Sequence, residues 1–298
     1  MYYALSLLAG TLISVMVVFN GHLKDMAGTG WSLIIIHVSG ILAIGLAMLF
    51  RKDRPCPGGH PPWWYTGGLI GILTTLFNLY AFGRISVSAM LALALLGESL
   101  ASLAADHVGF MGLPRRPMRA EKLLGGLIIL AGILIMLTDF AELLAVILSL
   151  LAGVSVLWSR LVNARLARSV GIYSTTLINY LAGLLGALLV LVVSGVQPLP
   201  ALGGPLTNYL GGALGALIVL ISNFVVGKIA SFYMTLIMFV GQVAASLLLD
   251  MMLMDEFPVR IALGGLLVLA GLTLSLLQDR AHARREAAYP DRDAKTTI

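Results

Sequence analysis

Charge is what this sequence has least of. Only 11% of its 298 residues are Asp, Glu, Lys or Arg, while 59% are hydrophobic. A soluble domain carries about 25% charged and roughly 45–50% apolar residues. So little charge cannot cover a surface facing water, which excludes a soluble enzyme, a nucleic-acid binder and a disordered chain. Cysteine is nearly absent as well. The single Cys56 excludes an intrachain disulfide framework and cysteine-based metal sites. No glycine loop runs into Lys-Ser/Thr, so ATP is not used directly. The five histidines show no recurring H-x-x-x-H spacing. No cofactor is expected. The first apolar stretch has no basic residues before it and reads as a retained span, not a cleaved signal.

What the sequence has instead is long apolar runs, with a mean hydropathy of +0.98. A bilayer core about 30 Å thick needs roughly 17–25 apolar residues in a helix. Ten such spans are read at 3–19, 31–50, 64–82, 86–104, 123–138, 143–159, 172–193, 208–226, 230–249 and 261–278. The runs lack period-2 alternation, so a β-barrel is excluded. The fold class predicted is an all-α integral membrane protein of ten transmembrane helices. Spans three and four are separated only by Gly83-Arg84-Ile85, which predicts a tight turn, because a merged helix would be too long for one crossing.

With both termini in the cytoplasm, only Lys24, Arg84 and Arg260 of the nineteen Lys and Arg fall outside. Basic residues collect on the cytoplasmic face of membrane proteins, so this bias supports ten crossings of an inner membrane. The pI near 9.5 is explained in the same way and does not imply nucleic acid.

The chain also matches itself when shifted by 143 or 144 residues. Ala9-Gly10 meets Ala152-Gly153, Asn20 meets Asn163, Gly28 meets Gly171, Gly67-Gly68 meets Gly211-Gly212, Gly97 meets Gly241, and Asp106 meets Asp250. Each half holds five spans. Five is odd, so the second half enters the membrane from the opposite side. This predicts two inverted-topology repeats, 1–140 and 141–279, followed by a charged tail, 280–298, that is frayed or disordered. Such repeats place a binding site at their interface near the midplane.

Several stretches carry a resemblance. Pro61-Pro62-Trp63-Trp64-Tyr65-Thr66-Gly67-Gly68, Ile85-Ser86-Val87-Ser88, Leu95-Leu96-Gly97-Glu98, Asp106-His107-Val108-Gly109 and Gly112-Leu113-Pro114-Arg115-Arg116-Pro117 follow the opening Asn20-Gly21. In these the first half resembles the YdcZ-like branch of the drug/metabolite transporter superfamily. The second half keeps only the skeleton, with Met251 in place of His107. Members are often half-length chains, so this one resembles a fused pair. The resemblance implies ten helices and export of a small molecule across a bacterial inner membrane, with no named substrate.

Polar residues inside spans are costly and so mark candidate sites. Glu98 lies on a stripe with Ser88 and Ser102, and the matching stripe in span nine carries Gln242 and Ser246. Glu98 reads as a proton or cation site, or as a protonated carboxyl bonded to neighbours such as Ser102. The resemblance implies an amide-type residue at its position, so Glu98 is a departure. His37, whose repeat partner is Tyr180, reads as a proton relay or a packing histidine. Asn20 and Asn163 read as pathway residues or helix caps. Asn78 and Asn223 read as interhelical hydrogen-bonding or pathway residues. Trp63, Trp64 and Tyr65 read as an interfacial aromatic belt or, as the weaker alternative, a substrate cage for a cationic group.

The function predicted is a secondary transporter working by alternating access, with a small-molecule substrate and protons as coupling ion. A membrane-embedded enzyme acting on lipid and an uncoupled channel or scramblase of the same fold are the alternatives. The sequence leaves open whether the chain pairs with a second copy as a homodimer.

Overall fold

A computed structural model of the chain describes residues 1–50, 59–108, 120–137, 142–196, 198, 200, 203–225, 228, 231–254 and 259–288. Among the described residues there are nine helices and no strand: α1 (Tyr2–Leu49), α2 (Gly67–Ala81), α3 (Val87–Val108), α4 (Ala120–Met136), α5 (Leu143–Val170), α6 (Ile172–Val193), α7 (Gly211–Val225), α8 (Ser231–Met254) and α9 (Val259–Ala288). Three of them, α1, α5 and α6, are long and apolar enough to cross a membrane outright. The helix surface turned away from the core is apolar, with Leu42 68%, Leu185 67% and Leu266 63% exposed. That surface suits lipid tails and not water.

Helix α1 is two segments joined at Gly28, whose φ of 72° and ψ of 166° are not helical. Nothing lies within 4 Å of where its Cβ would be. The conformation, not space, therefore demands glycine there. Gly171, 143 residues later, has φ 86° and ψ 165° and joins α5 to α6 in the same way. A one-turn 3-10 helix precedes α2 at Pro62–Tyr65, and another precedes α7 at Leu206–Leu210. The turn predicted between spans three and four is present, with Gly83 at φ 78°.

Helix ends depart from the apolar runs. The first segment continues past residue 19 to Gly28, α5 continues past residue 159 to Val170, and α9 runs on to Ala288. The reason is physical. Hydropathy marks where a helix leaves lipid, whereas Lys, Arg, Ala, Leu and Met remain good helix formers beyond that point. Asn20 and Asn163 are consequently not caps. They sit buried inside α1 and α5, 7% and 8% exposed.

The two halves are interlocked. Helix α1 packs on α7, α8 and α6, α5 packs on α3 and α2, and α4 packs on α9. Glycines make these contacts close. A Cβ on Gly10 would lie 1.9 Å from the carbonyl oxygen of Met238, and one on Gly153 1.8 Å from that of Ala94. Likewise a Cβ on Gly97 would meet the Leu150 carbonyl at 1.9 Å, and one on Gly241 the Leu7 carbonyl at 2.4 Å. In each couple, both glycine and carbonyl of one contact are the repeat partners of the other. Small residues of this kind let helix backbones approach within a membrane.

Polar contacts join the halves as well. Asp250, near the end of α8, accepts the backbone N–H of Val87 at 2.9 Å and of Ser88 at 3.0 Å with its two carboxylate oxygens. It thus caps the first turn of α3 from another helix. Beside it, Ser88 Oγ donates to Ser246 Oγ at 2.9 Å. The two serine-bearing stripes of the sequence meet at this point.

Candidate functional site: a polar cavity between the halves

Helix α2 turns Gly68, Gly71, Thr75 and Asn78 to one side, because residues three and four apart share a helix face. The two segments of α1 bring Met16, Val17 and Asn20 from before Gly28, and Ile36 and His37 from after it. Asn179 and Tyr180 come from α6, and Gly211 from the start of α7. Together with Thr74 and Leu79 they line one cavity of about 630 Å³, its open mouth included. Both halves of the chain contribute to its wall.

Its polar groups are held in a definite order. The Nδ1–H of His37 donates to the carbonyl of Leu33 at 2.7 Å, one helical turn back. A carbonyl can only accept, so Nε2 is left as the ring's acceptor when the ring is neutral. Nε2 lies against Gly183, where a Cβ would approach it to 2.3 Å. The Tyr180 ring stands 5.7 Å from the imidazole, and its hydroxyl donates to the Gly212 carbonyl at 3.0 Å. Asn163 Nδ2 donates to Asn179 Oδ1 at 2.8 Å and to Ser159 Oγ at 3.3 Å, and Ser159 Oγ donates to the Gly67 carbonyl at 2.9 Å. Asn20 Oδ1 and Thr74 Oγ1 are buried with no hydrogen-bond partner among the described residues. Buried polar atoms are nearly always paired, so two unpaired ones in one cavity wall mark where a ligand or water belongs.

Of the residues singled out from the sequence, Asn20, His37, Asn78 and Tyr180 are brought together here. Asn163 stands one layer behind, orienting Asn179. Gln242 is not in the wall, and its backbone carbonyl accepts Ser14 Oγ at 3.0 Å. The side chains of Ser102 and Asn223 lie outside the described residues. Glu98 stands elsewhere, between α3 and α5, where it forms an ion pair with Arg160. Its surroundings are therefore not the uniformly apolar ones its sequence neighbours suggest. Arg160 falls just past the sixth apolar run and reads as a loop residue, until α5 continues through it. Sequence reasoning also missed Asn179, Thr74 and Thr75. Asn179 carried a signal, being an amide within an apolar run. The threonines carried none, since they are common in membrane helices, where they bond their own backbone. Thr75 does this, donating to the Gly71 carbonyl at 3.2 Å.

The profile of the family described as "Putative inner membrane exporter, YdcZ" matches residues 1–135 and again 144–274. The chain belongs to the YdcZ family. The family profile matches it twice, and each match takes in one of the two halves distinguished by the repeat. The family's description makes this YdcZ chain a multi-pass protein of the inner membrane with a role in transport. A solved crystal structure matches with a TM-score of 0.60 at 15% sequence identity, over 94% of this chain and 96% of that one. That likeness is one of fold. No curated protein matches.

Proposed function

We propose that the chain is a secondary active transporter that exports a small molecule by alternating access, driven by protons. The observation that carries this reading is the polar cavity, walled by both halves of a twice-matched exporter chain. On this reading α1 counts as two crossings, and its break at Gly28 supports a total of ten. The reciprocal glycine contacts and the matching Gly28 and Gly171 junctions support two five-helix repeats of opposite orientation. The distribution of Lys and Arg supports cytoplasmic termini. Two such halves can exchange conformations, opening the cavity to each side in turn.

His37 is the group suited to coupling, since it is the histidine in the cavity wall and its Nδ1 is already engaged. The lone pair on Nε2 either holds a proton or accepts a hydrogen bond from substrate, not both. Competition for one lone pair suffices to exchange a proton for a substrate molecule. Glu98 is neutralised by Arg160 outside the cavity and is assigned the holding of α3 to α5.

In this topology the Asp250 and Ser88–Ser246 contacts lie on the outer side and close it. The test replaces Cys56 by Ser, then introduces Ser88→Cys with Ser246→Cys, and Thr75→Cys as reporter. With the outer pair crosslinked, Thr75→Cys should react with a membrane-impermeant thiol reagent from the cytoplasmic side alone. Without the crosslink it should react from either side. Reaction from both sides in the crosslinked protein would exclude alternating access.

A further inference from the structure

We infer that the substrate is uncharged and rich in hydroxyl or amide groups, of the kind represented by polyols and nucleosides. This rests on the reading of the cavity as the transport site. Among the described residues that line it there is no Asp, Glu, Lys or Arg. A charged ligand taken from water into such a wall loses its hydration without gaining a counter-charge, and that penalty is large in a membrane interior. Glu98, the nearest thing to a membrane-embedded counter-ion in the sequence, is already paired with Arg160. Neutral His37 adds no charge and offers an acceptor.

The polar groups present are those that recognise neutral donors and acceptors. Asn20 Oδ1 and His37 Nε2 accept, Thr74 Oγ1 does both, and the carboxamide of Asn78, which lines the cavity, offers a donor and an acceptor. Hydroxyls and amides on a ligand match this mixture, because each gives and takes a hydrogen bond. Leaving the wall's polar atoms unpaired is costly, so a purely apolar ligand is rejected as well. Met16, Val17 and Leu79 give the same wall an apolar side, against which a sugar face or a base can lie.

The experiment measures binding to the purified full chain in lipid nanodiscs with three probe sets of similar size. One holds erythritol, ribose and uridine, one choline and tetraphenylphosphonium, and one benzoate and succinate. Binding by a member of the neutral set alone is the expected result. Asn78→Leu should then weaken it about tenfold, the loss of roughly 1.4 kcal/mol. Asn78→Asp keeps the side-chain size but adds a charge, and should move preference toward the cations. It serves if the leucine variant does not fold. Binding of cations or anions in preference to the neutral set, or binding by none of the three, overturns the inference. Separate counterflow measurements in sealed vesicles keep the two readings apart. Counterflow of a cation would leave the transporter standing and sink the neutral substrate. Uridine or ribose binding that depends on Asn78, with no counterflow, would do the reverse.

Discussion

Arg160 and Glu98 form a bridge whose side chains are 48% and 21% exposed, so its net worth is modest, about 1 kcal/mol at most. Its loss from one side matters more, because an unpaired charge then faces neighbouring helices. In the other half the equivalent positions hold Val17 and Gln242. We therefore expect Glu98→Gln alone to lower thermal stability by a few degrees, and Glu98→Gln with Arg160→Val to restore it. Failure of the double variant to recover would show that the bridge has a second role. His37→Gln keeps a hydrogen-bonding side chain but cannot titrate. It should abolish substrate-induced proton release measured on the acidic side of neutrality, where the free ring takes up a proton, while leaving ligand binding within about threefold. Much of this residue-scale picture was legible beforehand, since polar atoms stand out against apolar spans. Asn20, His37 and Asn78 stood out in this way, and Tyr180 entered as the repeat partner of His37. The pairing of Glu98 did not, because it depends on how far α5 runs beyond its hydrophobic stretch.

Helices here are joined by backbone-to-backbone approaches that have no room for a methyl group. Gly10→Ala and Gly153→Ala should each cost about 1–3 kcal/mol, the usual penalty for overpacking. As repeat partners their losses should match closely. Gly97→Ala and Gly241→Ala make the second couple. Gly45→Ala and Gly126→Ala are the controls, with open space around the added carbon. They should be neutral or slightly stabilising, since alanine favours helix. A thermal-unfolding series over these six variants checks the pattern. Asp250→Asn keeps one acceptor oxygen for the two N–H groups of α3 and should cost about 1 kcal/mol, and Asp250→Ala about 2. The sequence displayed the glycine pairs plainly, since they recur on the repeat diagonal. It did not say which carbonyl each would meet, because that depends on the crossing of helices far apart in the chain.

At the scale of the whole molecule, orientation is the first thing to establish. In a background without Cys56, cysteines placed at Gly203 and Arg54 should label from opposite sides of intact cells. Labelling from the same side would refute two halves of opposite orientation. The all-helical, membrane-embedded class was readable from hydropathy alone, and helix ends were not, because polar helical turns carry α1, α5 and α9 past their apolar runs. The interlocking of the halves has a consequence for how the protein is made. The ribosome delivers the first five segments before the surfaces they seat on exist. Gly10 waits for Met238, and Gly97 for Leu150. Until synthesis passes α8, the early helices lie in the bilayer as unsettled neighbours, held upright by lipid but without their native partners. Final assembly is therefore late and concerted, and it does not require the two halves to be one chain. Produced separately in the same cell, residues 1–140 and 141–298 should each be degraded alone and should accumulate together as a stable complex.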